Sequence, residues 1–414
     1  MKKSKIKFYN LDVYTETLDN GLNVVVIPYK NVNDAFVTLT TRYGGANYEF
    51  SVDGKEYKVP NGIAHFLEHK MFECEDGDAF LKFAKTGAYS NAYTSFDRTC
   101  YLFNSTNLFE ENLKILLNFV SVPYFTKETV EKEQGIIGQE ITMYDDMPNW
   151  RVFHNLLNAL YKEHPIKIDI PGTKETIAKI TDKLLYSCYN TFYTPSNMFL
   201  VICGDVDENT VAKIADQEIL QVKKEPAKAI FKEEPKSVCK NFISQKMEVL
   251  KPLFAIGFKD MANKTLKQTT AMDILVKILA GETSNMYKRL IDEKLIDDDF
   301  TAEYNSGRGF AFVSLEGASD NVDRVCEIVL DEIEKAKQNG ISKEEFNTVK
   351  KGVTGIILKQ FNNPEQVASM LVDCAVKKVD LAEELKIIKE ITLKDVTDCL
   401  EVFKKENYAL SIIE

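Results

Sequence analysis

His65-Phe66-Leu67-Glu68-His69 gathers two of the four histidines in the 414-residue chain, with a carboxylate between them, into five positions. On an α-helix, residues four apart stand one turn above each other on the same face. That is the spacing at which two imidazoles share one divalent cation. Glu68 falls about 60° round the helix from His65 at roughly 100° per residue, beside the ion rather than in line with both ligands. A carboxylate there is placed to take a proton from a water polarised by the metal. The order H-x-x-E-H inverts the H-E-x-x-H zinc pattern. Gly62 before an apolar run and Met71-Phe72 after it predict a part-buried helix whose polar residues need partners. This argues against two histidines on a merely solvated helix face.

Two histidines leave a third ligand to be found. Glu73 continues the His65–His69 stripe but lies two turns, roughly 12 Å, from His65. Three side chains in a row on one straight helix cannot close a tetrahedron with bonds of about 2 Å. The segment Val130–Ile141 offers Glu133 and Glu140, seven apart and therefore on one helix face. From spacing alone, one of them binds the metal and the other supports it, or both belong to a solvated face.

The stretch His65–His69, followed about seventy residues later by a Glu-x6-Glu helix, resembles the pitrilysin/insulinase family of zinc metallopeptidases, and a bacterial branch of it in particular. Gly87–Ser95 with Thr99-Cys100-Tyr101 resembles that family's Asn-Ala-x-Thr strand. His164-Pro165, Gly172-Thr173 and Tyr193–Met198 resemble its later landmarks. The resemblance implies Zn2+ held by His65, His69 and Glu140, with Glu68 as general base and Glu133 as a supporting carboxylate. It implies that Asn91, Ala92, Tyr93 and Thr94 form an edge strand that receives an extended peptide by β-addition. It also implies an α+β fold of two duplicated α/β-sandwich halves, each an antiparallel-rich sheet with helices on one face, closing as a clam-shell. The His69–Glu140 gap is a few residues shorter than the family pattern, as if a loop near Val122-Pro123 were trimmed.

Composition is that of an ordinary globular chain, with 44% hydrophobic and 28% charged residues. The net charge of −11 and the lack of a Lys/Arg tract argue against nucleic acid as a partner. Eight cysteines without C-x-x-C spacing predict reduced, mostly buried thiols. The basic start Met1–Lys7 is followed by no apolar signal core, and no apolar run of eighteen occurs, so a cytoplasmic chain with no membrane partner is expected.

Along the chain, Val13–Leu18, Asp19-Asn20-Gly21 and Leu22–Ile27 predict a hairpin, and Ala35–Arg42 a further strand. Gln221–Lys240 is charged and carries two prolines, which predicts an exposed linker between a zinc-bearing domain at 1–220 and a related domain at 241–414. The two halves echo each other. Ile180-Thr181, a helix to Tyr193, Asn197 and an apolar strand recur as Ile391-Thr392, a helix to Phe403, Asn407 and Ala409–Ile413, which an internal duplication explains. The second half holds no histidine, so a copy would have kept the scaffold without the metal site.

The resemblance also exposes a departure. Active members carry an Arg and a Tyr in the second half that grip substrate and oxyanion. Here Arg289 fits the start of the matching helix, but the later positions fall on acidic residues and Phe300. Either Arg289 or Tyr304 stands in, or a related subunit supplies the pair, with a homodimer as the alternative. The function expected is a zinc endopeptidase acting on extended peptides or a processed precursor, as one subunit of a heterodimer. The competing expectation is a non-catalytic, zinc-containing assembly subunit.

Overall fold

The computed structural model describes residues 1–6, 9–29, 32–219 and 224–414. It divides into two compact units. Unit one comprises Met1–Ile141, Ile168–Ile230 and Lys359–Ala382; unit two comprises Thr142–Lys167, Phe231–Leu358 and Glu383–Glu414.

Unit one is built on seven strands, β1 (Lys2–Ile6), β2 (Leu11–Thr17), β3 (Asn23–Pro28), β4 (Ala35–Thr41), β5 (Tyr89–Thr94), β6 (Thr99–Ser105) and β7 (Met198–Gly204). Their spatial order is β1-β2-β3-β7-β4-β6-β5, so β5 is an edge. The hairpin expected at Asn20-Gly21 joins β2 to β3, with Thr17 opposite Asn23 and Gly21 at φ 94°. Alternate residues point to opposite faces of a strand. Val37, Leu39, Tyr101, Phe103, Leu200 and Ile202 accordingly enter one core, which they share with α1 (Ile63–Met71) and the helix Phe109–Ser121.

Unit two carries β8 (Phe242–Gln245), β9 (Leu253–Lys259), β10 (Thr301–Gly307), β11 (Phe310–Ala318) and β12 (Tyr408–Ile413), in the order β8-β12-β9-β11-β10. Both sheets repeat one pattern. A parallel pair (β3 with β7, β8 with β12) is followed by antiparallel neighbours to an edge. Shared details run to single hydrogen bonds. Thr181 and Thr392 cap the helices Asp182–Phe192 and Leu393–Asp398. Asn197 Nδ2 donates to the Phe192 carbonyl at 2.9 Å, and Asn407 Nδ2 to the Val402 carbonyl at 2.8 Å. The protein has an α+β fold with two similar halves.

The second face of each sheet receives a helix from the other half of the sequence. In unit one, α4 (Pro364–Lys377) lies on β7 and β4. It is held by Arg42 Nη2 donating to the Ala375 carbonyl at 3.0 Å and by an Arg98–Asp373 ion pair. In unit two, α3 (Pro148–Leu160) lies on β12 and β9. A Cβ at Gly257 would stand 2.8 Å from Leu156 Cδ1, so the Leu156 side chain packs directly over the glycine.

The charged segment 221–240 is described from residue 224 onward. Lys228–Ala229 pairs with Phe50–Ser51 in unit one. Glu234 is fastened in unit two, where its carboxylate accepts the backbone N–H groups of Lys162, Glu163 and His164 at 2.7–2.9 Å. The same carboxylate pairs with the buried Lys259 ammonium at 2.6 Å. These bonds hold the Glu234 carboxyl below the usual range against the opposing effect of burial. The expected linker is exposed over most of its described residues but anchored at Glu234.

Candidate metal centre and active site

Helix α1 begins at Gly62, whose φ of 93° is a left-handed conformation that glycine adopts at no steric cost. A Cβ there would also stand 2.3 Å from the Pro171 carbonyl oxygen. Phe66 and Leu67 enter the core and Lys70 is fully buried. The helix therefore has little freedom to rotate, and His65, Glu68 and His69 are set by packing.

The facing helix is α2 (Lys127–Asp145). It brings Glu140 between the two imidazoles, with Oε1 at 3.6 Å from His65 Nε2 and Oε2 at 3.5 Å from His69 Nε2. Donor atoms of His65, His69 and Glu140 all lie within 4.8 Å of one another. A tetrahedral ion with bonds of about 2.0–2.1 Å holds its ligands roughly 3.4 Å apart, so the donor set fits zinc. His65 Nδ1 is buried and has no hydrogen-bond partner among the described residues.

Glu133 meets the other side of the same ring, its Oε1 3.0 Å from His69 Nδ1. With a proton on Nδ1, Nε2 is left as a lone pair facing Glu140, the usual carboxylate–histidine support of a metal ligand. Burial disfavours the charged His69 imidazole, but the Glu133 hydrogen bond and the carboxylates of Glu68, Glu140 and Glu133 outweigh it and raise its pKa. The pocket thus favours positive charge. Glu73 is absent from the cluster and pairs with Lys70 instead.

Glu68 is buried at the same centre and accepts a hydrogen bond from Thr94 Oγ1 at 2.6 Å. Along β5, Tyr89, Asn91 and Tyr93 are exposed, while Ser90, Ala92 and Thr94 are half-buried on the other face. Among the described residues β5 pairs with β6 alone. The Ala92 N–H donates to Asn91 Oδ1 at 2.9 Å, and Asn91 Nδ2 donates to the Tyr89 hydroxyl at 3.1 Å. Sequence reasoning missed Thr99, whose hydroxyl lies 3.3 Å from that of Thr94 and donates to the Tyr43 carbonyl at 2.9 Å. Its position opposite Thr94 would have been the available signal.

In unit two, Arg289 forms ion pairs with Asp331 and Glu332. The Tyr304 hydroxyl donates to Asp260 Oδ2 at 2.9 Å. Arg289 and Tyr304 therefore each have a carboxylate partner.

The family profile described as "Insulinase (Peptidase family M16)" matches residues 54–174, and that described as "Peptidase M16 inactive domain" matches residues 179–353. The Bacillus subtilis protein named as the uncharacterized zinc protease YmfH is 39% identical over 406 residues, spanning 94% of this chain and 93% of its own. This chain belongs to the insulinase peptidase family, M16. A crystal structure of an M16-like peptidase from Alicyclobacillus acidocaldarius superimposes with a TM-score of 0.93 at 34% identity, covering 97% of this chain and 98% of that one. A Helicobacter pylori protease shares the fold at a TM-score of 0.85 and 22% identity, covering 97% and 99% of the two chains. No helix among the described residues is long and apolar enough to cross a membrane.

Proposed function

We propose that this M16 chain is a zinc-dependent endopeptidase acting on extended peptides or a processed precursor. The observation that carries the reading is the convergence of His65 Nε2, His69 Nε2 and both Glu140 oxygens, with the Glu68 carboxylate fixed beside them. His65, His69 and Glu140 would hold zinc, as the named zinc-protease relative supports. When bound, zinc supplies a Lewis acid for the peptide carbonyl and lowers the pKa of a water to about 7. Glu68 accepts the proton of the attacking water and returns it to the leaving amine. Glu133 holds His69 in the tautomer that leaves Nε2 free. Asn91, Ala92, Tyr93 and Thr94 on the β5 edge receive the peptide as an added strand.

The ion-paired Arg289 and the Asp260-bound Tyr304 support a further element of the reading. A related subunit completes substrate gripping, and the working form is a heterodimer in the cytoplasm. The same observation favours a second reading, in which the chain holds zinc as a non-catalytic assembly subunit. A fluorogenic-peptide assay, run with and without a related subunit, separates the two. The peptidase reading expects turnover with the partner and a loss of about 10²–10⁴-fold in Glu68→Gln. Cleavage at the Glu68→Gln level in every combination supports the assembly subunit instead.

A further inference from the structure

We propose that Thr94 is a positioning residue for Glu68, its hydroxyl serving the base rather than the substrate; the inference rests on the peptidase reading. A glutamate side chain has three torsions, and α1 fixes only where it starts. Among the described residues, the side chain that donates to Glu68 is Thr94, at 2.6 Å to Oε2, a short charge-assisted bond. Thr94 is itself restrained. Its backbone is paired to β6 opposite Thr99, and the two hydroxyl oxygens lie 3.3 Å apart. Thr99 is anchored in turn by donating to the Tyr43 carbonyl. β-Branching further restricts χ1 at both threonines.

The sheet of unit two has a hydroxyl at the equivalent register. Thr94 pairs with Thr99, which pairs with Thr41, which pairs with Met198, the residue after Asn197. Tyr304 pairs with Val313, which pairs with Phe258, which pairs with Tyr408, the residue after Asn407. At this register of the edge strand, each half directs a hydroxyl at a carboxylate, Glu68 in one and Asp260 in the other.

During hydrolysis the water's proton reaches Glu68 as the C–O bond forms and leaves with the amine as the C–N bond breaks. Thr94 donates its hydrogen bond and transfers no proton. Because β5 also receives the peptide in this reading, the strand that aligns the scissile bond is the strand that aims the base.

The test is a double-mutant cycle. Thr94→Val removes the hydroxyl at nearly constant volume and should lower kcat about 10- to 100-fold, the scale of a lost charge-assisted hydrogen bond, with KM and zinc content unchanged. Thr94→Ser should restore kcat. In the Glu68→Gln background, Thr94→Val should cost nothing further, because no base remains to be aimed. An undiminished Thr94→Val effect in that background, or a change confined to KM, overturns the proposal. A crystal structure of Thr94→Val decides the matter independently of turnover. A rotated Glu68 carboxylate supports the assignment, and an unmoved one overturns it. Loss of the peptidase reading would show separately, as no difference between wild type and Glu68→Gln.

Discussion

Glu133 and Glu140 touch the same imidazole from opposite sides, and exchanging each for glutamine separates a ligand from its support. Glu140 faces both Nε2 atoms at 3.5–3.6 Å, where an ion held by them would sit. Structural zinc sites are worth about 10–16 kcal/mol over four ligands, or roughly 2.5–4 kcal/mol per ligand. Glu140→Gln should therefore weaken zinc binding by about two to three decades. Glu133 touches Nδ1 instead, at 3.0 Å. A carboxylate in that supporting place is worth roughly 10- to 100-fold in affinity, so Glu133→Gln should lose one to two decades and still load fully at saturating zinc. Competition against a chromophoric zinc chelator at neutral pH measures both constants, and elemental analysis after gel filtration gives the stoichiometry. Equal losses in the two variants, or a larger loss in Glu133→Gln, would refute the assignment of Glu140 as the third ligand.

Other predictions follow from features outside the ligand set. His164 is buried, its Nδ1 accepts the Ile166 N–H at 3.1 Å and its Nε2 donates to the Arg308 carbonyl at 3.0 Å, while burial pushes its pKa down to about 4. With a depressed folded-state pKa, the neutral ring's stabilisation is whole above about pH 6.5 and is lost as pH falls toward 4, about 2 kcal/mol by pH 5. His164→Asn, which cannot titrate, should lack this component in urea melts at the two pH values; equal pH dependence in both proteins would contradict it. Ala92→Pro removes the N–H now taken by Asn91 Oδ1. It should weaken peptide binding about tenfold, the scale of one hydrogen bond, and unchanged KM would remove β5 from substrate recognition. The partner proposal predicts a complex with more than about 1,200 Å² of buried surface that survives size-exclusion chromatography. It also predicts that Arg289→Ala in the isolated chain leaves its low turnover unchanged, because Asp331 and Glu332 already hold that guanidinium. Efficient cleavage by the chain alone, abolished in Arg289→Ala, would refute it.

What could be read from the sequence was local or repeated. Asn20-Gly21 marks its hairpin because only certain residues tolerate the turn. Thr181 and Thr392, with Asn197 and Asn407, mark the duplication because capping and side-chain-to-carbonyl bonds span a few residues. His65–His69 proposes a shared ion because four residues is one helical turn. What could not be read depended on distant partners. The period of Pro148–Leu160 predicts an amphipathic helix but says nothing of which sheet it covers, and Gly257 gains its meaning only from Leu156 standing against it. Charge in the 221–240 segment suggested solvation, whereas Glu234 satisfies three backbone donors from residues 162–164. Thr94 was placed in the peptide strand, yet its hydroxyl is turned inward to Glu68 across 26 positions of sequence.

The placement of α4 sets an order of events during synthesis. Unit one includes Lys359–Ala382, so β4 and β7 keep one side bare until Pro364–Lys377 has left the ribosome, about 160 residues after β7. At about 5–20 residues per second, the nascent zinc-binding half waits on the order of ten seconds or more after β7 emerges before that side can be covered. Its apolar residues are open to chaperones throughout that interval. Cutting the gene at its midpoint would make the delay permanent, leaving each fragment without the helix that closes its sheet. Each of the two similar sheets is thus covered by a helix that the opposite half of the sequence encodes.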